Sequence, residues 1–248
     1  MKRWLYIGGV ILVLLAIGLY YLYSSLNSIV KAAVEKTGSE ATQAQVKLKD
    51  VNIEITSGKG ALRGLTVGNP SGFKTDKALG LGEISVQVDI GSVTKDTVVI
   101  KEIVIAAPEV TYELGSGGSN IDALQRNANS YAGAGKGKAE KSGGGQGKKL
   151  VIEHLYVRNG KVSVSAAELQ GKTLSAPLPD IHLTDIGKKS GGATAGEVAQ
   201  QVLTAVGQAA TRAATSLPDV GKLVGSAKEE AAGAAKGAGG GLKKLFGK

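Results

Sequence analysis

The chain opens on an uninterrupted apolar run, Trp4 to Tyr23, and then settles into short segments in which apolar and polar residues alternate. Roughly 20 apolar residues suffice to cross a bilayer core as a helix, the form that satisfies every backbone amide within hydrocarbon. Trp4 and Tyr6 at one end and Tyr20, Tyr21 and Tyr23 at the other stand where amphipathic rings settle in the two headgroup layers. Lys2 and Arg3 precede the run, so the positive-inside rule keeps the N-terminus cytoplasmic and exports the rest. A cleaved signal peptide shares the basic start, but its apolar region is usually about 7–15 residues, and no A-x-A site closely follows Tyr23. The run therefore predicts a retained single-pass transmembrane helix. Leu26, Ile29, Val30, Ala33 and Val34 continue it as a helical stripe, a stalk that Gly38 is expected to stop.

Beyond the stalk the period changes to two. Val51, Ile53 and Ile55 alternate with polar neighbours, as do Ile84, Val86, Val88 and Ile90, the signature of strands with one buried face. Three β-rich blocks result, Val46–Pro70, Ile84–Leu114 and Leu150–Ile186, the last preceded by a Gly/Lys/Ala/Ser stretch over 132–149 that reads as a flexible linker. An internal repeat relates the blocks. Leu62, Leu65, Val67 and Pro70 match Ile100, Ile103, Ile105 and Pro108, which match Ile152, Leu155, Val157 and Gly160; Val110 and Tyr112 then fall where Val162 and Val164 fall. Each copy is an apolar residue, a two-residue spacer, two alternating apolar residues and a kink at Pro or Gly. Stacked β-units sharing one apolar face follow.

The period changes again near the C-terminus. Thr194 and Glu197 form a capping box ahead of Val198, Val202, Leu203, Val206 and Ala210, whose spacing predicts an amphipathic helix that ends before Pro218. The organisation expected is thus an anchor and stalk over 1–38, a β domain over 39–190, the amphipathic helix over 191–217, and an Ala/Gly/Lys tail over 218–248.

Composition narrows the function. With no cysteine, disulfides, thiolate metal sites and cysteine nucleophiles are excluded. The formal charge of +9 resides largely in glycine- and alanine-rich tracts, Lys136–Lys149 and Lys222–Lys248, without the interleaved aromatics of a single-strand binder. No nucleic-acid partner is expected. Lysines near anionic headgroups gain about 1 kcal/mol each, so membrane lipid is the better match, and the end "GLKKLFGK" combines Leu242, Leu245 and Phe246 with three lysines. His154 and His182 stand alone in strand-like patterns without a spaced ligand partner, so no metal site is expected. "SGGGQGKK" has Ser142 and Lys149 where a phosphate loop needs Gly and Ser/Thr, and no G-x-S-x-G occurs. The sequence offers no catalytic residues and no cofactor site, which points to a non-enzyme.

Several segments together resemble the AsmA-like family of bacterial envelope proteins, to which TamB-type proteins are related. They are the N-terminal run, "VKLKDVNIEITSGKGALRGLTVGNPSGF" (Val46–Phe73), "VVIKEIVIAAPEVTYEL" (Val98–Leu114), the short Asn-led helix "SNIDALQRN" (Ser119–Asn127) and "LVIEHLYVRNGKVSVS" (Leu150–Ser165). The resemblance covers roughly Met1–Gly187; the chain is far shorter than the large members. It implies an α+β protein whose mostly antiparallel sheet curls as a trough or incomplete barrel with an apolar lining. It also implies an inner-membrane, single-pass placement with the bulk periplasmic, and a role in envelope lipid handling or outer-membrane biogenesis. Lipid would then lie against Ile84, Val86, Val88, Ile103, Ile105, Leu155 and Val157. A self-filled core usually contains more rings than Phe73, Tyr112, Tyr131, Tyr156 and Phe246 supply, which also favours a trough or a face completed by a partner. The competing expectation is a scaffold subunit that presents the same face to another envelope protein.

Overall fold

A strand that buries Ile100, Ile103 and Ile105 together cannot be a regular ladder, because positions 100 and 103 fall on opposite sides of a pleat of period two. The structure is a computed structural model that describes residues 25–115, 118–138, 148–166, 174–218 and 220. It reconciles the pattern with a bulge. Strands β4 (Leu79–Val88) and β5 (Thr97–Ala106) pair antiparallel with Gln87 opposite Glu102 but Val88 opposite Ile100, so Lys101 is an extra residue. That slip returns Ile100 to the face of Ile103 and Ile105. In β8 (Lys149–Arg158) the same spacing buries Ile152, Leu155 and Val157 and exposes Glu153 and His154.

A second device keeps the face continuous. β5 runs on as β6 (Glu109–Gly115) through Ala107, at φ 46°, and Pro108; β8 runs on as β9 (Gly160–Ser165) through Asn159, at φ 57°. The two kinked runs lie side by side in parallel, Thr97 opposite Lys149, Ile105 opposite Val157, Val110 opposite Val162 and Glu113 opposite Ser165, at one constant offset. The second and third copies of the repeat therefore pair with each other residue for residue. Gly160, which takes the place of Pro108, is tied to it by packing: a Cβ there would lie 2.9 Å from the Pro108 ring and 2.7 Å from Leu178.

β1 (Val46–Lys47) and β2 (Asp50–Glu54) share one register on β3 (Lys59–Val67), and β3 pairs with β4. β10 (Leu174–Leu178) and β11 (Ile181–Ile186) share one register on β9 and β8. The sheet thus consists of kinked runs laid side by side in chain order, each antiparallel to its neighbour except the parallel pair just described. Parallel neighbours need a long crossover, usually helical. Here it contains β7 (Gly118–Ser119), which pairs with β6, and α2 (Asn120–Lys138). The first residues of the expected linker, Ala132–Lys138, belong to that helix, and Ala132 is buried; residues 139–147 lie outside the described residues.

α3 (Ala195–Thr215) begins at the expected capping box: the Thr194 hydroxyl accepts from the Glu197 N–H while the Glu197 side chain accepts from the Thr194 N–H. α3 packs against α2 and against β6, β9, β10 and β11. Its buried face is made of Val206, Gly207, Ala209, Ala210, Ala213 and Ala214. Small residues let the helix backbones approach; a Cβ on Gly207 would lie 2.8 Å from Ile121. Close approach of alanine surfaces fills the core without large rings.

A helix over residues 25–42, α1, guards one sheet edge. The side chains of Asn27, Glu35 and Ser39 accept hydrogen bonds from the backbone N–H groups of Ile53, Leu48 and Val46. Donors that would otherwise template a foreign strand are thereby used. Gly38 does not stop this helix. It is small because Val46 packs on it, at 3.1 Å from where a Cβ would stand, and the helix ends instead at Gln43, φ 51°.

Two expectations about the sheet are corrected, and one about the N-terminal run falls outside the described residues. The span expected at Trp4–Tyr23 lies outside the described residues, and among the described residues no helix is long and apolar enough to cross a membrane. The sheet is mixed, because the repeat copies pair in parallel across a helical crossover. α2 and α3 lie over part of its apolar face, so that part is a closed core in place of a trough.

Candidate functional site

The cross-strand register gathers the apolar residues into rows. One row runs Val51, Leu62, Ile84, Ile105, Val157, Ile181; the next runs Ile53, Gly60, Val86, Ile103, Leu155, Leu183; a third holds Val88, Ile100, Ile152, Ile186. The seven residues expected to meet lipid all lie in these rows on one face. Burial grades along them. Ile105, Leu155 and Val157 are enclosed in the core, Ile84 and Ile103 pack against it while partly exposed, and Val86 and Val88 are also partly exposed. Burial is deepest at β8; the β3–β4–β5 side is accessible at Leu62, Ile84, Val86, Val88, Ile100 and Ile103, and Ile181 and Leu183 on β11 are partly exposed as well.

The accessible side leads to an apolar end of the molecule. Ile55, Ile90 and Val93 are 44%, 46% and 46% exposed, and Ile29 is 51% exposed. They lie where the β2–β3 and β4–β5 connections turn and at the first described residues of α1, as the Ile53 N–H to Asn27 Oδ1 bond of 3.1 Å and the approach of Ile90 to Gly58 show. The connections before β8 and after β11 reach the same end: Lys149 N–H donates to Asp96 O at 3.0 Å, and Thr97 Oγ1 donates to Gly191 O at 3.5 Å. These connections carry the exposed side chains of Lys95, Lys148, Lys149, Lys188 and Lys189. Lys148 Nζ donates to the Val93 and Lys95 carbonyls, which fixes the loop carrying Val93. Of the nearby acids, Asp89 accepts from the Gly91 N–H and Asp185 is paired with Lys188 at 2.8 Å, which holds its carboxyl below the usual range. Exposed Glu54 and Asp96 share this end with the lysines; exposed apolar side chains together with lysines suit a surface that meets anionic headgroups.

The opposite end is latched by polar contacts. Glu113 accepts from the N–H groups of Lys74 and Thr75 and from the Thr75 hydroxyl, at 2.7, 2.8 and 2.6 Å. Burial pushes its carboxyl up, but these hydrogen bonds outweigh it and hold the group below its ordinary value. Fully buried Asn120 bonds to Asn69, to Thr111 O, and to the Glu113 and Ile121 N–H groups. The Asn that leads α2 thus ties the β3–β4 loop to β6.

Two cavities among the described residues have linings of mixed polarity. One of about 330 Å³ lies on the reverse face against Asn52, Lys59, Arg63, Ser85, Gln87 and Glu102, and one of about 630 Å³ lies between α1 and β1 against Lys31, Glu35, Lys47 and Lys49. Neither is an apolar channel of acyl-chain width.

On the reverse face the two histidines, expected to stand alone, meet: His154 Nδ1 and His182 Nε2 are 3.2 Å apart. Sequence reasoning missed them because their contact depends on β11 folding back on β8 with Tyr156 opposite His182. The shared "HL" steps of "IEHLYV" and "DIHLTD" were the available signal. No group of three or more His, Cys, Asp or Glu able to hold a metal occurs among the described residues. No family model matches the sequence, and no curated protein matches it.

Proposed function

We propose that the protein is a non-enzymatic, AsmA-like envelope protein that handles membrane lipid from the loop end of its sheet, at the periplasmic face of the inner membrane. The observation that carries this reading is the clustering of Ile29, Ile55, Ile90 and Val93 at one end that also carries exposed lysines, continuous with the accessible rows that contain Val86 and Val88. Isolated exposed hydrophobics are ordinary; a gathered patch with a polar rim marks an interaction surface. The order of segments resembling the AsmA-like family supports the same reading. A lipid drawn from the bilayer would enter at Ile55 and Ile90 and lay an acyl chain along Val88, Val86 and Ile84.

Val86→Asp tests this. Val86 is partly exposed, so a carboxylate there stays hydrated and the fold persists, whereas an acyl chain lying on it meets a charge. The variant is expected to give the wild-type circular dichroism spectrum and to co-purify with less lipid by extraction and mass spectrometry. A folded variant with unchanged lipid, or wild type with none, favours the second reading, a scaffold subunit. That reading draws on the mixed polarity of both cavities and the burial of Ile152, Leu155 and Val157 on β8.

A further inference from the structure

The reverse face of β8 and β11 carries a group of side chains that lipid handling does not use. His154 and Tyr156 alternate along β8, and His182 stands opposite Tyr156 on β11, so the three rings project from one face. The Tyr156 ring stacks on His182 with centroids 4.2 Å apart and planes 14° apart, and the Arg158 guanidinium lies 4.3 Å from the Tyr156 centroid on the same side of the sheet. His182 is thereby held in one plane, and His154 Nδ1 meets its Nε2 at 3.2 Å. Both histidines are exposed, and they are the only two in the chain.

We propose that His154 and His182 form a two-imidazole site for a divalent transition metal of the copper, nickel or zinc class. Two ring nitrogens each at the ~2.0–2.1 Å of a zinc–nitrogen bond stand roughly 2.8–3.4 Å apart when the angle at the metal is about 90–110°. The observed separation lies within that span, so the pair has the bite of a chelate without backbone movement. Imidazole suits these metals over magnesium or calcium, which take oxygen. Without metal one ring donates to the other. With metal, each ring carries its proton on the far nitrogen, Nε2 of His154 and Nδ1 of His182, a change of tautomer that releases no proton. Glu102 is the lateral neighbour of His154 on β5, the charge of Asp185 also interacts with His154, and water or an external ligand fills the remaining positions.

The test is Cu²⁺ titration of the full chain, without a histidine tag, followed by calorimetry and electron paramagnetic resonance. One equivalent should bind with nitrogen hyperfine splitting from two imidazoles. His154→Gln and His182→Gln should each weaken binding by no less than the ~10–100-fold that loss of a supporting group costs at a metal site. Both side chains are exposed, so circular dichroism should stay unchanged, and Lys36→Gln, an exposed position on α1, should bind as wild type. Wild type that takes up no Cu²⁺, a spectrum without imidazole nitrogen, or His variants that bind as wild type would each overturn the site.

Discussion

Ile152→Ala separates the bulged sheet from a regular one. In strict alternation Glu153 shares a face with Leu155 and Val157, and Ile152 points outward. The structure reverses both: Ile152 is 1% exposed between Ile100 and Ile186, and Glu153 is exposed. Truncating isoleucine to alanine removes about three methylene-sized groups at ~0.8 kcal/mol each. The cavity left under a packed face adds to that, placing the loss within the ~2–5 kcal/mol seen for buried isoleucine or leucine. Against a typical total of about 5–15 kcal/mol the change is large. With a urea m-value of about 2 kcal/mol/M, the midpoint should fall by roughly 1–2.5 M in denaturation followed by far-UV circular dichroism. Glu153→Ala should stay within about 0.5 kcal/mol of wild type. Ile100→Ala, in the same row but only partly buried, should fall between them. Equal losses at 152 and 153, or a larger loss at 153, would refute the bulge argument.

Two further outcomes are expected. Thr194→Ala removes the side-chain half of the capping box and should cost about 1 kcal/mol in the same denaturation assay, while Thr194→Ser should cost little. Glu113→Gln should cost about 1–3 kcal/mol at neutral pH by weakening the latch to Lys74 and Thr75. The folded carboxyl titrates below its ordinary 4.5, so its contribution is complete above that value and is lost as pH falls through the folded value; the gap between wild type and Glu113→Gln should close on acidification.

Much of the fold was legible because its signals are local. The capping box at Thr194 and Glu197 and the alternation in β2 and β4 depend on neighbours a few residues away, and they appear where the pattern put them, except that Ile55 and Ile90, expected to extend those buried faces, lie beyond the strand ends and are exposed. The repeat was equally legible, but its consequence was not. Similar copies suggested stacked β-units and the family resemblance a mostly antiparallel sheet, and only the crossover through α2 sets Ile100 beside Ile152 in parallel. Gly38 misled because glycine ends helices and also lets a strand approach one; the second role depends on Val46, which the helix meets only after the chain has turned. The scarcity of aromatic rings suggested an open trough, whereas the alanines of α3 fill the space by backbone approach. At the candidate site, the seven apolar residues could be placed on one face from alternation. Their gradient of burial, the gathering of Ile29, Ile55, Ile90 and Val93 at one end, and the meeting of His154 with His182 all depend on which elements pack over which.

The central claim, that the loop end of the sheet faces lipid, is tested by a label at Val93. The chain has no cysteine, so Val93→Cys carries a unique environment-sensitive fluorophore, and Ser71→Cys in the β3–β4 connection at the opposite end provides the reference. With the full chain in vesicles containing phosphatidylglycerol and spin-labelled lipid, the account predicts a blue-shifted, strongly quenched fluorophore at 93 and an unquenched, water-like one at 71. Equal quenching at the two positions, or none at 93, would contradict it.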